Sequence, residues 1–99
     1  VNEDLRNDLL NSAIKYTDGI DHAMQDRYGR LVSNYQTDMQ DKFEKLLEEG
    51  VPEDDAINVA ETDFCFSQKA EEDHLLRDQA NLARFLTITT ARIDKFCDN

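Results

Sequence analysis

The sequence predicts an all-α fold: a single helical domain over residues 1–99, in a four-helix antiparallel arrangement with two long central helices and one disulfide. Three observations predict it. From Leu5 to Leu47 apolar residues recur every three or four positions, at Leu5, Leu9, Ala13, Tyr16, Ile20, Met24, Tyr28, Leu31, Tyr35, Met39, Phe43 and Leu46, which marks one face of a helix. The same period returns after the only proline, at Ile57, Ala60 and Phe64 and, past a polar interval from Ser67 to His74 where it weakens, at Leu75, Leu82, Leu86, Thr89, Ile93 and Phe96. The third observation is a lone pair of cysteines, Cys65 and Cys97.

The first helix is expected over about 3–17, with Asn2 suited to its N-cap and Glu3 and Asp4 to its first turn. Thr17-Asp18-Gly19 is its candidate end, because glycine weakens a helix interior and commonly follows a helix terminus. The apolar stripe keeps its phase through Gly19 and Gly29, so a kinked continuous helix stays open as the alternative. The second helix, about 20–49, has the strongest pattern and the clearest stop. Gly50 can take the left-handed position after the last turn, and Pro52 is pre-set for the start of the next helix. Glu53, Asp54 and Asp55 then sit where exposed N–H groups favour acids.

Between residues 53 and 97 there is neither Gly nor Pro, and local propensity alone would draw one helix about 68 Å long. In such a helix Cys65 and Cys97 would stand about 48 Å apart, whereas a disulfide needs Cα atoms within about 7 Å. A reversal at Asp78-Gln79-Ala80-Asn81 would bring Cys97 back beside Cys65, giving helices of about 52–78 and 82–97. Asp78 and Asn81 are good N-cap types, while Ala80, Leu82 and Ala83 favour helix and oppose the turn. Closing that loop of about 33 residues would stabilise the fold by roughly 3.5 kcal/mol. Two reduced core cysteines, or a bridge between antiparallel chains, are the alternatives.

The chain has 22 acidic and 11 basic side chains, a net charge of −11. That sign disfavours nucleic acid and anionic membranes and favours basic protein surfaces, although it also serves solubility. No apolar run approaches the length of a membrane span. The start at Val1 and the even cysteine count fit a secreted, extracellular protein after signal removal. A monomer or weak dimer is expected.

Catalytic equipment is sparse. Glu71-Glu72-Asp73-His74 contains one Glu-x-x-His, but a di-metal bundle needs a second, and the other histidine, His22, has Gly19 where that Glu should be. Asp18-Gly19-Ile20-Asp21 lacks the spacing of a calcium loop. Ser12, Ser33 and Ser67 lie in no Gly-x-Ser-x-Gly turn. Cys65 with His74 could form a nucleophilic pair, yet a structural disulfide suits the cysteine better. No enzyme, metal or cofactor is expected. Tyr16, Tyr28, Tyr35, Met24 and Met39 read as core or, functionally, as the lining of a small apolar ligand cavity. Glu48, Glu49, Glu53, Asp54 and Asp55 form a candidate partner-binding acidic patch around Gly50, while Arg77, Arg84, Arg92 and Lys95 gather near the C-terminus. Dipole complementarity and solvated faces are the first reading of both groups, and a polarised surface for docking a protein is the alternative.

Tyr16-Thr-Asp-Gly-Ile-Asp21, the cysteine pair, Ser67-Gln-Lys-Ala-Glu71 and Ala80-Asn-Leu-Ala-Arg-Phe-Leu86 together resemble the small helical salivary proteins of anopheline mosquitoes, the anophensin/albicin family. The resemblance implies a secreted salivary inhibitor that binds a host plasma protease complex. The alternative complement pathway C3 convertase is the first expectation and the kinin-generating contact system the second. It transfers no binding residues. Two other classes remain beside it: a helical carrier of a small hydrophobic ligand, and a structural coiled-coil module with uninterrupted helices paired between chains.

Overall fold

The computed structural model describes residues 2–98. It consists of two helices, α1 (Glu3–Glu48) and α2 (Glu53–Asp98), with no strand among the described residues. The all-α expectation holds. The four-helix division does not, because neither expected interruption occurs.

Helix α1 begins where Asn2 caps it. The Asn2 Oδ1 accepts from the Leu5 N–H at 3.0 Å, and its carbonyl accepts from the Arg6 N–H at 3.0 Å. The helix then passes through Thr17-Asp18-Gly19 unbroken. Ile20 and Met24 continue the half-buried stripe past the glycine, so packing on both sides holds a residue that costs only about 1 kcal/mol in a helix interior. Thr17 is buried, and its hydroxyl donates to the carbonyls of Ala13 and Ile14 at 3.1 and 2.9 Å, which meets its polar need within the helix.

The boundary at Gly50 to Pro52 falls where the residues place it. Gly50 takes φ 86°, the left-handed region that glycine enters without penalty. Its N–H donates to the Leu47 carbonyl and the Val51 N–H to the Leu46 carbonyl, both at 3.0 Å, the paired bonds of a Schellman ending. Pro52 accepts the first bond of α2 from the Ala56 N–H at 2.9 Å.

Helix α2 runs through Asp78-Gln79-Ala80-Asn81 without a turn. The Cys65–Cys97 disulfide is therefore absent: both cysteines are free thiols, Cys65 exposed and Cys97 buried. The physical reason is local. Ala80, Leu82 and Ala83 prefer helix, and neither Gly nor Pro releases the backbone. Asp78, Gln79 and Leu82 are half-buried, so the helical register already gives these side chains packing that a turn would remove.

The chain forms two compact units. The turn unit, Asp26–Leu75, contains the end of α1, the Gly50 turn and the start of α2. The terminal unit pairs Val1–Gln25 with Leu76–Asn99. The helical segments within each unit are antiparallel, with Arg6 on Asp94 and Tyr16 on Phe85 in one and Lys42 on Asp63 in the other. Among the described residues only Thr17, Ala56, Ala60 and Cys97 are buried, and no large side chain is fully enclosed. Two helical segments form one contact line, and the far sides of both stay in water.

Candidate functional site

The acidic patch is assembled by the Gly50 turn. Glu48 and Glu49 lie at the C-terminal end of α1, and Glu53, Asp54 and Asp55 form the first turn of α2; all five are exposed. The reversal at Gly50 brings the two groups to one end of the turn unit. None of the ion pairs among the described residues involves them. Glu53, Asp54 and Asp55 complement the positive end of α2, whereas Glu48 and Glu49 oppose the negative end of α1. Helix electrostatics thus explains three of the five acids and not the other two.

Charge is divided unequally between the units. The turn unit holds fourteen acidic and five basic residues, a net charge of −9, while the terminal unit holds eight and six, a net charge of −2. Arg77, Arg84, Arg92 and Lys95, all exposed, belong to the terminal unit and nearly balance its acids.

A polar cluster in the turn unit occupies the interval from Ser67 to His74, where the apolar pattern of α2 fades. Glu71 accepts from the Tyr35 hydroxyl at 3.0 Å on one oxygen and from Arg27 Nη1 at 3.4 Å on the other. Gln68 Nε2 donates to the Tyr28 hydroxyl at 3.5 Å. The hydrogen bond to the Glu71 carboxylate pushes the Tyr35 phenol above its ordinary 10.0, with burial and the Glu71 charge acting in the same direction. Sequence reasoning read these side chains as stripe tyrosines, a half metal motif and an unexplained polar gap. The signal was present: Phe64, Gln68, Glu71 and Leu75 keep the helical spacing of the stripe, which marks Gln68 and Glu71 as inward-facing partners for the two tyrosine hydroxyls.

The Glu71 of Glu71-x-x-His74 is thus engaged by Tyr35 and Arg27, and no group of three or more potential ligands converges among the described residues. The Tyr35–Met39 stretch lines a half-open recess of about 200 Å³. Asp38, Lys42 and Asp63 flank it, with Lys42 paired to Asp63, so its rim is charged. Tyr28 and Tyr35 are half-buried, but Tyr16 reaches the surface and packs tilted on Phe85 with ring centroids 6.3 Å apart. No helix among the described residues is long and apolar enough to cross a membrane.

No protein-family model, curated protein or solved structure matches this chain. Its likeness to the anopheline salivary proteins stays a likeness.

Proposed function

We propose that this protein acts by binding another protein rather than by catalysis, and that a basic surface of the partner docks on the turn bearing Glu48, Glu49, Glu53, Asp54 and Asp55. The observation that carries this reading is the position of Glu48 and Glu49. Two exposed acids at a helix C-terminus oppose the local dipole, and three more follow within a turn, on the unit that holds −9 of the net charge. An accumulation of one sign at one turn steers an oppositely charged partner and raises its association rate.

Within the binding class, the resemblance points to a secreted salivary-type inhibitor of a host plasma protease complex, first the convertase of the alternative complement pathway and second the contact system. The test is lysis of rabbit erythrocytes by human serum with only the alternative pathway active. Inhibition at micromolar protein, lost when the five acids are replaced by Gln and Asn, supports the reading. Undiminished lysis overturns the complement assignment, and unaltered contact activation alongside it overturns the plasma assignment as a whole. Pull-down from plasma identifies the bound protein. The carrier reading is less well supported, because the recess beside Tyr35 and Met39 is open and rimmed by Asp38, Lys42 and Asp63, which suits water better than a hydrocarbon.

A further inference from the structure

We propose that a second copy of this chain covers the apolar face of the terminal unit, so that two copies pair their Val1–Gln25 and Leu76–Asn99 segments into a four-helix bundle. Three observations lead there. The first is what the fold leaves out of its core. Leu5, Tyr16, Phe85, Ile88 and Phe96 are all exposed in this unit, Tyr16 at 60% and Phe96 at 66%, while its buried residues are Thr17 and Cys97. A helical layer normally covers its apolar side with a second layer, and one pair of antiparallel segments supplies a single layer.

The second observation is that these residues share a side. On α1, Leu5, Leu9 and Tyr16 are spaced by four and seven positions; on α2, Phe85, Ile88, Arg92 and Phe96 are spaced by three, four and four. Each set is one helical row. The Tyr16–Phe85 ring contact joins the two rows on one side of the pair, and antiparallel order then sets Leu5 level with Phe96. The Gln79–Asp21 and Arg6–Asp94 hydrogen bonds use side chains outside both rows. No acid occupies either row, and Arg92 is the one charge in them.

The third observation selects the occupant. The five exposed side chains present on the order of 500 Å² per copy, at the upper end of what a monomer ordinarily shows, and a symmetric pair would bury about 1,000 Å², where specific interfaces begin. Charge permits it. A chain of net −11 would repel itself through its turn unit, but the terminal unit carries only −2 and its apolar rows carry no acid. An isologous two-fold pairing uses the same rows, free of acids, on both copies. An interface at this lower size limit belongs with the weaker, reversible associations, which are sought at micromolar concentrations and above.

The experiment is sedimentation equilibrium of the full chain from ~1 to ~200 μM, a range that covers such associations. The mass should rise from 11.4 kDa toward twice that value, and should do so at least as readily at high salt, which screens the repulsion between the acidic turns. Ile88→Glu and Phe96→Glu should each weaken association at least tenfold while retaining helical circular dichroism, because both side chains lie exposed in the single chain. Phe66→Glu, in the turn unit, should leave it unchanged. Should either glutamate variant lose helicity, Phe96→Ser supplies the milder test of the same position. A wild-type mass of 11.4 kDa at ~200 μM overturns the proposal and leaves the face to a different protein. A dimer abolished by Phe66→Glu and indifferent to Ile88→Glu and Phe96→Glu overturns it equally.

Discussion

Alanine substitution at the three glycines should move stability in opposite directions, and the sign at each position reports the backbone there. A Cβ at Gly19, Gly29 or Gly50 would meet nothing within 4 Å, so packing contributes to none of the three changes. What remains is the main chain. Gly19 and Gly29 lie inside α1, where alanine is favoured over glycine by about 1 kcal/mol, partly because glycine leaves the unfolded chain more freedom. Gly19→Ala and Gly29→Ala should each stabilise by about 0.5–1 kcal/mol, and by about twice that together, since the two are too far apart to couple. Gly50 has φ 86°, where a side chain costs about 1–2 kcal/mol, so Gly50→Ala should destabilise by that amount and Gly50→Asn by less. In a domain of this size each kcal/mol moves the melting temperature by about 4–8 °C, well outside error. The assay is urea unfolding followed by circular dichroism at one fixed protein concentration, since self-association would otherwise shift the midpoint. A loss of stability on Gly19→Ala would refute the reasoning, because only a chain that turns at Gly19 would be harmed by a helix former there.

Ala56 and Ala60, both fully enclosed, should resist enlargement: Ala56→Leu is expected to cost about 1–3 kcal/mol by overpacking, measured by the same unfolding curves. Tyr35 carries a pH dependence whose sign follows from its raised pKa. The folded protein favours the protonated phenol that donates to Glu71, so this contribution is intact below the ordinary 10.0 and is lost as pH rises through the higher folded value. Ultraviolet titration should find Tyr35 ionising late, and Tyr35→Phe should remove that late step along with its share of the alkaline loss of stability. Neutralising Glu48, Glu49, Glu53, Asp54 and Asp55 together should slow association with a plasma partner much more than it speeds dissociation, as surface plasmon resonance would read it.

Much of this fold is legible in the residues. The 3.6-residue period gives both helices, Asn2 gives the start of α1, and Gly50 with Pro52 gives the one reversal. The expectation fails at Gly19, where one residue's propensity stood against the phase of the stripe, and at residues 78–81, where a cysteine pairing stood against local propensity. At Gly19 the uninterrupted phase of Tyr16, Ile20 and Met24 outweighs one unfavourable residue. At 78–81 the turn was inferred from a cysteine pairing, and Ala80, Leu82 and Ala83 decide otherwise. Free thiols at both cysteines also remove the disulfide as support for an extracellular setting, so secretion rests on the resemblance.

The acidic turn was fully legible, because its residues adjoin one another in sequence. The Tyr35–Glu71–Arg27 cluster was not, since its members approach only when the helices pair; the spacing of Gln68 and Glu71 within the stripe was the available clue. The apolar face of the terminal unit was hidden for a related reason. Periodicity assigns Leu5, Tyr16 and Phe96 to the inward stripe, but two narrow helical segments meet along a single line that cannot enclose residues on its margins.

The account rests on α2 being one uninterrupted helix with two free thiols, and thiol titration of the unreduced protein tests that most directly. One thiol, exposed Cys65, should react promptly in the native protein, and a second, buried Cys97, should react only on unfolding in denaturant. Finding no reactive thiol in the denatured, unreduced protein would contradict the account: the two cysteines would be bridged, and a monomer on a non-reducing gel would then place a chain reversal between Cys65 and Cys97.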